Sequence, residues 1–152
     1  MPSSNGSAAA SWIPDGYTEQ VYVEDVPHLY GAIRLSYRPV LITILARINR
    51  EMTEVGDDTE KRQYIAAKWM SQRLVSWDLK KPDGSLVDHR NVEELLHIRP
   101  ALFTRLWNII GLGLDGGDID PRWRARELHE RSQRELAASM SGKSRDETDE
   151  GN

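Results

Sequence analysis

The residues most suggestive of chemistry lie in Ile110–Pro121, IGLGLDGGDIDP, where Gly111, Gly113 and Gly116 have the spacing G-x-G-x-x-G and Asp115, Asp118 and Asp120 crowd together. Glycines so spaced can bring backbone N–H groups against a pyrophosphate, but only where a strand feeds them and a helix follows. Here they follow a helical stripe, and no β-branched strand comes afterwards to complete the unit. A calcium loop fares no better. Begun at Asp115, it puts Asp120 where glycine is needed and Arg126 where a bidentate glutamate is needed; begun at Asp118, it ends on His129. The stretch therefore reads as a helix C-cap followed by a flexible turn, with Asp118 or Asp120 capping a new helix at Pro121.

Other catalytic patterns are sparse. His28, His89, His97 and His129 fall in different segments without the close spacing of a zinc site. No G-x-S-x-G elbow is present, although a Ser–His–Asp site assembled across the fold stays open at this stage. Asp57-Asp58 is better placed as charge at a helix start than as a general acid and base. With no cysteine, disulfides and thiolate metal sites are excluded. The expectation is a protein that is not an enzyme and uses no cofactor or metal. Arg122, Arg124, Arg126, Arg131 and Arg134 surround Trp123 and could form a nucleic-acid footprint. Glu127, Glu130 and Glu135 interrupt them, which favours a solvated ion-pair face.

The elements that must position these residues are mostly helical. Glu19–Glu24 and Ala32–Tyr37 alternate polar and apolar, with Val21, Val23, Ile33, Leu35 and Tyr37 inward, and predict a short hairpin. Pro39 suits a first helical turn, and Leu41, Ile44, Leu45, Ile48 and Met52 form a core-facing stripe that stops near Gly56. Asp57–Glu60 starts a second helix running to about Trp77 on Ile65, Ala66, Trp69, Met70, Leu74 and Trp77. Pro82-Asp83-Gly84 has tight-turn chemistry, and Asn91 caps a brief helix from Val92 to about Ile98. Pro100 separates it from a last core helix carrying Leu102, Phe103, Leu106, Trp107 and Ile110. The fold expected is a mainly α, small helical domain with a short N-terminal β-hairpin and a small turn or hairpin before the last core helices. Residues 1–16 read as a disordered leader, 17–120 as one compact domain, 121–140 as an exposed charged helix and 141–152 as a disordered acidic tail.

A chain of 152 residues, 39% hydrophobic and 29% charged, fits one modest core, and its formal charge of −4 argues against non-specific nucleic-acid binding by the whole chain. The longest strongly apolar run, Val40–Leu45, is far short of the roughly 20 residues of a membrane helix. MPSSNGSAAAS lacks the basic start and apolar stretch of a secretory signal. A cytoplasmic protein without membrane partners is expected.

Three features in order carry a resemblance: Leu35-Ser36-Tyr37-Arg38-Pro39 before an amphipathic helix, Leu74-Val75-Ser76-Trp77-Asp78-Leu79 before Pro82-Asp83-Gly84, and a Leu-rich helix pair ending at Ile110-Gly111. Over residues 17 to 120 the chain resembles the tail assembly chaperones of long-tailed bacteriophages and prophages. The resemblance implies a non-enzymatic protein, acting in the bacterial host cell, that keeps the tape-measure protein soluble while tail-tube subunits assemble around it. Its partners would be the tape-measure protein, the tail-tube protein and further copies of itself, and in some members a frameshift produces a longer form. Trp123 and Leu128, outside the inferred core, are the residues expected to touch the partner, the alternative being that Trp123 folds back on the core. Arg38 is expected to position the junction between the extended segment and the first helix. The alternatives from other classes are a nucleic-acid-associated or regulatory protein using the Arg-rich helix 121–135, and a structural head–tail or tail component of the virion.

Overall fold

In the computed structural model the backbone is described for residues 11–150 and side chains for residues 11–141. The chain separates into two compact units, Met1–Ile119 and Asp120–Asn152. Most of the expected leader, residues 1–10, and the last two residues of the expected tail lie outside the described residues.

The first unit is built on a three-stranded antiparallel sheet in the order β1-β2-β3, formed by Glu19–Val23, Ile33–Tyr37 and Leu74–Trp77. Val21 pairs with Leu35 and Val23 with Ile33, so the expected hairpin has its inward residues on one face, as a period of two requires. The third strand was not expected. Leu74 and Trp77 had the spacing of the second helix, but the chain leaves the helix at Arg73 and pairs Trp77 with Leu35, Ser76 with Ser36 and Leu74 with Tyr37 across a bulge. Both residues are buried in either reading, and helical periodicity alone does not separate a helix end from a short buried strand.

Helices α1 (Ile42–Val55), α2 (Thr59–Arg73), α3 (Val92–Leu95) and α4 (Pro100–Ile110) complete this unit. Local chemistry sets their ends. Asp58 accepts the Lys61 N–H at 3.1 Å to cap α2, Asn91 accepts from Glu93 and Glu94 to cap α3, and Pro100 occupies the first turn of α4. Between β3 and α3, Asp83 accepts both the N–H and the hydroxyl of Ser85, and Gly84 takes φ 89°, giving the expected Pro-Asp-Gly turn.

The core joins Val21, Val23, Ile33, Leu35 and Tyr37 of the sheet to Ala67 and Met70 of α2, Leu95 of α3, and Leu102, Leu106, Ile109 and Ile110 of α4. The first helix contributes less than its stripe promised: Ile48 is buried, Ile44, Leu45 and Met52 are half-buried, and Leu41 is exposed. Pro39 and Leu41 precede its first turn, with Leu41 at the N-cap position. At that junction the organising cation is Arg73. Its Nε and Nη2 donate to the carbonyls of Arg38 and Pro39 at 3.1 and 3.3 Å, while the Arg38 N–H donates to the Arg73 carbonyl at 2.8 Å. Arg38 thus takes part through its backbone, and its side chain is exposed.

The second unit consists of α5, Pro121–Glu150. Asp120 accepts the Arg122 N–H at 2.8 Å, the helix-start role expected for Asp118 or Asp120. The helix is assigned ten residues beyond the boundary expected at 140. About half of the chain is helical, and with a three-stranded sheet the fold is mixed rather than clearly mainly α. Among the described residues no helix is long and apolar enough to cross a membrane.

Candidate functional site

The glycine-rich stretch begins as the expected helix C-cap, with Gly111 at the C-cap position of α4 and its N–H donating to the Trp107 carbonyl at 2.9 Å. After α4 the Leu114 N–H donates to the Asn108 carbonyl at 2.8 Å, with Gly113 at φ 65° turning the chain. Asp115 then accepts the Gly117 N–H at 2.8 Å, and the Asp118 N–H donates to the Tyr22 carbonyl at 2.7 Å. The loop thereby pairs with the outer edge of β1, where an open row of backbone groups would otherwise face solvent.

Arg105, on α4, holds the aspartates. Its guanidinium grips Asp118 through two bonds of 2.8 and 3.0 Å and reaches Asp115 at 3.1 Å. A third bond, from the Glu24 N–H at 2.8 Å, ends on Asp118. The Asp118 carboxyl is consequently held below its ordinary pKa, chiefly by the Arg105 hydrogen bonds, which outweigh the opposing desolvation, with a further contribution from the Glu24 N–H. Two of the three aspartates that suggested a metal are therefore engaged by one arginine. Arg105 is not legible from the sequence as their partner, because it lies 10 and 13 residues before them on a helix marked by its apolar stripe.

What this clamp positions is an apolar groove of about 430 Å³ within the first unit. Leu112 and Leu114 of the clamped loop line it together with Val40, Leu41, Ile42 and Leu45 at the start of α1, and Tyr37 and Ile109 contribute from the core. Ile42 is 84% exposed and Leu114 78% exposed, large apolar side chains left almost wholly in water. The polar groups are few. Glu19 lines the groove with its pKa raised by burial, and the Tyr37 hydroxyl is held protonated far above its usual range by burial and by Glu19 nearby. Such a surface offers apolar contact beside two carboxylates, Glu19 and the Asp115 held by Arg105.

A larger groove, about 790 Å³, runs between the Leu29–Gly31 loop, Leu79–Pro82 and α3. Its character is different. Glu94 pairs with Lys81 and accepts the Asp88 N–H at 2.9 Å, while Leu79, Val87 and Ile98 pack against the core. Of its charged lining residues, Lys81 and Glu94 are paired with one another.

Trp123 and Leu128, the residues expected at a partner surface, both lie on α5; Trp123 is half-buried and Leu128 exposed. Five residues apart on a helix that turns about 100° per residue, they stand about 140° from one another and do not form one contact patch. Periodicity places Leu41 and Leu45 in the core, whereas both line the groove, Leu41 exposed and Leu45 half-buried. No protein-family model, curated protein or solved structure matches the chain.

Proposed function

We propose that this chain is a non-catalytic assembly chaperone of the phage tail type, binding an apolar segment of the tape-measure protein in the bacterial cytoplasm and releasing it as tail-tube subunits take over. The observation that supports this reading is the pairing of two highly exposed apolar residues, Ile42 and Leu114, on one groove whose loop wall is fixed by an ion-pair clamp. Burying such side chains against a client yields about 1.5–3 kcal/mol each when complete, enough for reversible binding from a small contact. A rigid wall lowers the ordering cost that binding must overcome.

Co-expression with the longest coiled-coil-rich protein encoded beside this chain tests the proposal. The soluble fraction of that partner should rise with the wild-type chain and fall back with Ile42→Glu or Leu114→Glu. A partner that is equally insoluble with and without the wild-type chain overturns the chaperone reading. A second reading, nucleic-acid association through α5, draws on the exposure of Arg122, Arg124, Arg126, Arg131 and Arg134. It requires affinity for DNA or RNA that falls steeply with salt, and absence of binding at low ionic strength removes it.

A further inference from the structure

Strand β1 carries one residue that its apolar pattern does not explain. Glu19, Val21 and Val23 follow one another at steps of two on the same face of the strand, and Glu19 stands opposite Tyr37 on β2. Val21, Val23 and Tyr37 are buried, whereas Glu19 is half-buried, a carboxylate on the apolar side of the sheet. Among the described residues no hydrogen-bond donor or cation reaches that carboxylate, so its loss of water is uncompensated and its pKa is raised. Asp115, the other carboxylate lining the groove, is held by Arg105 at 3.1 Å. Both carboxylates lie near enough to the Tyr37 hydroxyl to oppose its ionisation, and so gather around one part of the groove. Among the described residues the lining holds no lysine, arginine or histidine.

We propose that the groove takes a polypeptide segment in which a lysine or arginine adjoins large apolar residues, the cation pairing with Glu19 while the apolar side chains cover Ile42 and Leu114. This rests on reading the groove as the client site, and it names the chemistry of the client segment. Ile42 and Leu114, 84% and 78% exposed, call for the surface of a chain rather than a small molecule enclosed in a cleft. A neutral apolar segment would cover them equally well, yet it would finish the desolvation of Glu19 and leave a buried carboxylate without a partner. An acidic segment would add like-charge repulsion. With a cation the same desolvation works in favour of binding, because a charge-assisted hydrogen bond strengthens as water leaves. Glu19 therefore lowers the stability of the free chain and raises affinity in the complex.

Three synthetic peptides of one apolar sequence, differing only in Lys, Gln or Glu beside the apolar residues, test this by titration calorimetry against the full-length chain. The Lys peptide should bind about tenfold or more tighter than the Gln peptide, and the Glu peptide weakest, with the spread narrowing as salt is added. Glu19→Gln should erase the preference for Lys while raising the thermal midpoint at neutral pH. Those changes have opposite signs, whereas a residue serving only the fold would lower both when replaced. Ile42→Ser should weaken all three peptides. Equal affinity for the Lys and Gln peptides, each weakened by Ile42→Ser, overturns the cation proposal and leaves the groove reading standing. Failure of all three to bind also overturns it, and co-expression with the coiled-coil-rich partner then decides the groove reading separately. A Glu19→Gln chain that self-associates with its Lys preference intact overturns it as well, and assigns Glu19 to guarding the β1 edge.

Discussion

Arg105 draws two aspartates of opposite local function into one cluster, Asp115 shaping the loop and Asp118 joining it to β1. Asp118 releases its proton more readily in the folded chain than in the unfolded one, so its contribution to stability is complete above the ordinary aspartate range and is lost as pH falls through the lower, folded value. Asp118→Asn should cost about 1–2 kcal/mol at neutral pH, a figure reduced for partial solvent screening, and the difference from wild type should shrink in acid when denaturant midpoints are compared. Glu19 has the opposite sign. Its pKa is raised by burial, so the folded chain holds that proton more tightly and stability declines as pH rises through the glutamate range. Glu19→Gln should therefore raise the thermal midpoint at neutral pH and lose that advantage in acid. Gly117 sits at φ 80°, and a Cβ there would meet the Val21 side chain and stand 2.7 Å from the Tyr22 carbonyl oxygen. Gly117→Ala should destabilise by about 1–3 kcal/mol, readable by chemical denaturation, through strain and overpacking together.

Among the elements, α2 and β3 show how one run of apolar residues can be divided. Ala66, Ala67, Trp69 and Met70 are buried from the helix, Leu74 and Trp77 from the strand, and the switch comes at Arg73. That arginine ties the start of β3 to the end of β2 by donating to the Arg38 and Pro39 carbonyls. Arg73→Leu should leave these two acceptors without their donor and lower stability by about 1–2 kcal/mol, with hydrogen exchange increasing first at Leu74 and Tyr37. The β1–β2 hairpin was legible because strict alternation names both the strand and its inward face. β3 was not, since four residues with two buried ends fit either period. Helix starts at Asp58, Asn91 and Pro100 were legible because a cap acts within three residues of itself.

For the molecule as a whole, the groove on the first unit leaves two large apolar side chains, Ile42 and Leu114, in water. Ile42→Glu, at an 84% exposed position, should leave the thermal midpoint within about 1 °C of wild type while abolishing client solubilisation, because a charge placed in water costs the folded state little. A matching fall in midpoint would mean that Ile42 serves the fold, not a partner. The groove was hidden from sequence inspection by the same rule that found the core. A stripe of Leu41, Ile44, Leu45, Ile48 and Met52 identifies an amphipathic helix without saying how much of its face another element covers.

Read from residue order alone, this chain already declared its hairpin, its helix caps, its Pro-Asp-Gly turn and the charged character of residues 121–140, because each depends on neighbours a few positions away. Packing settled the rest: the identity of β3, the partial exposure of α1, and the conversion of an apparent ligand loop into a clamped groove wall. Those outcomes depend on which distant groups come within a few ångströms, as Arg105 and Asp118 do. An aspartate carries the same negative charge beside a metal or beside an arginine, and folding chose the arginine.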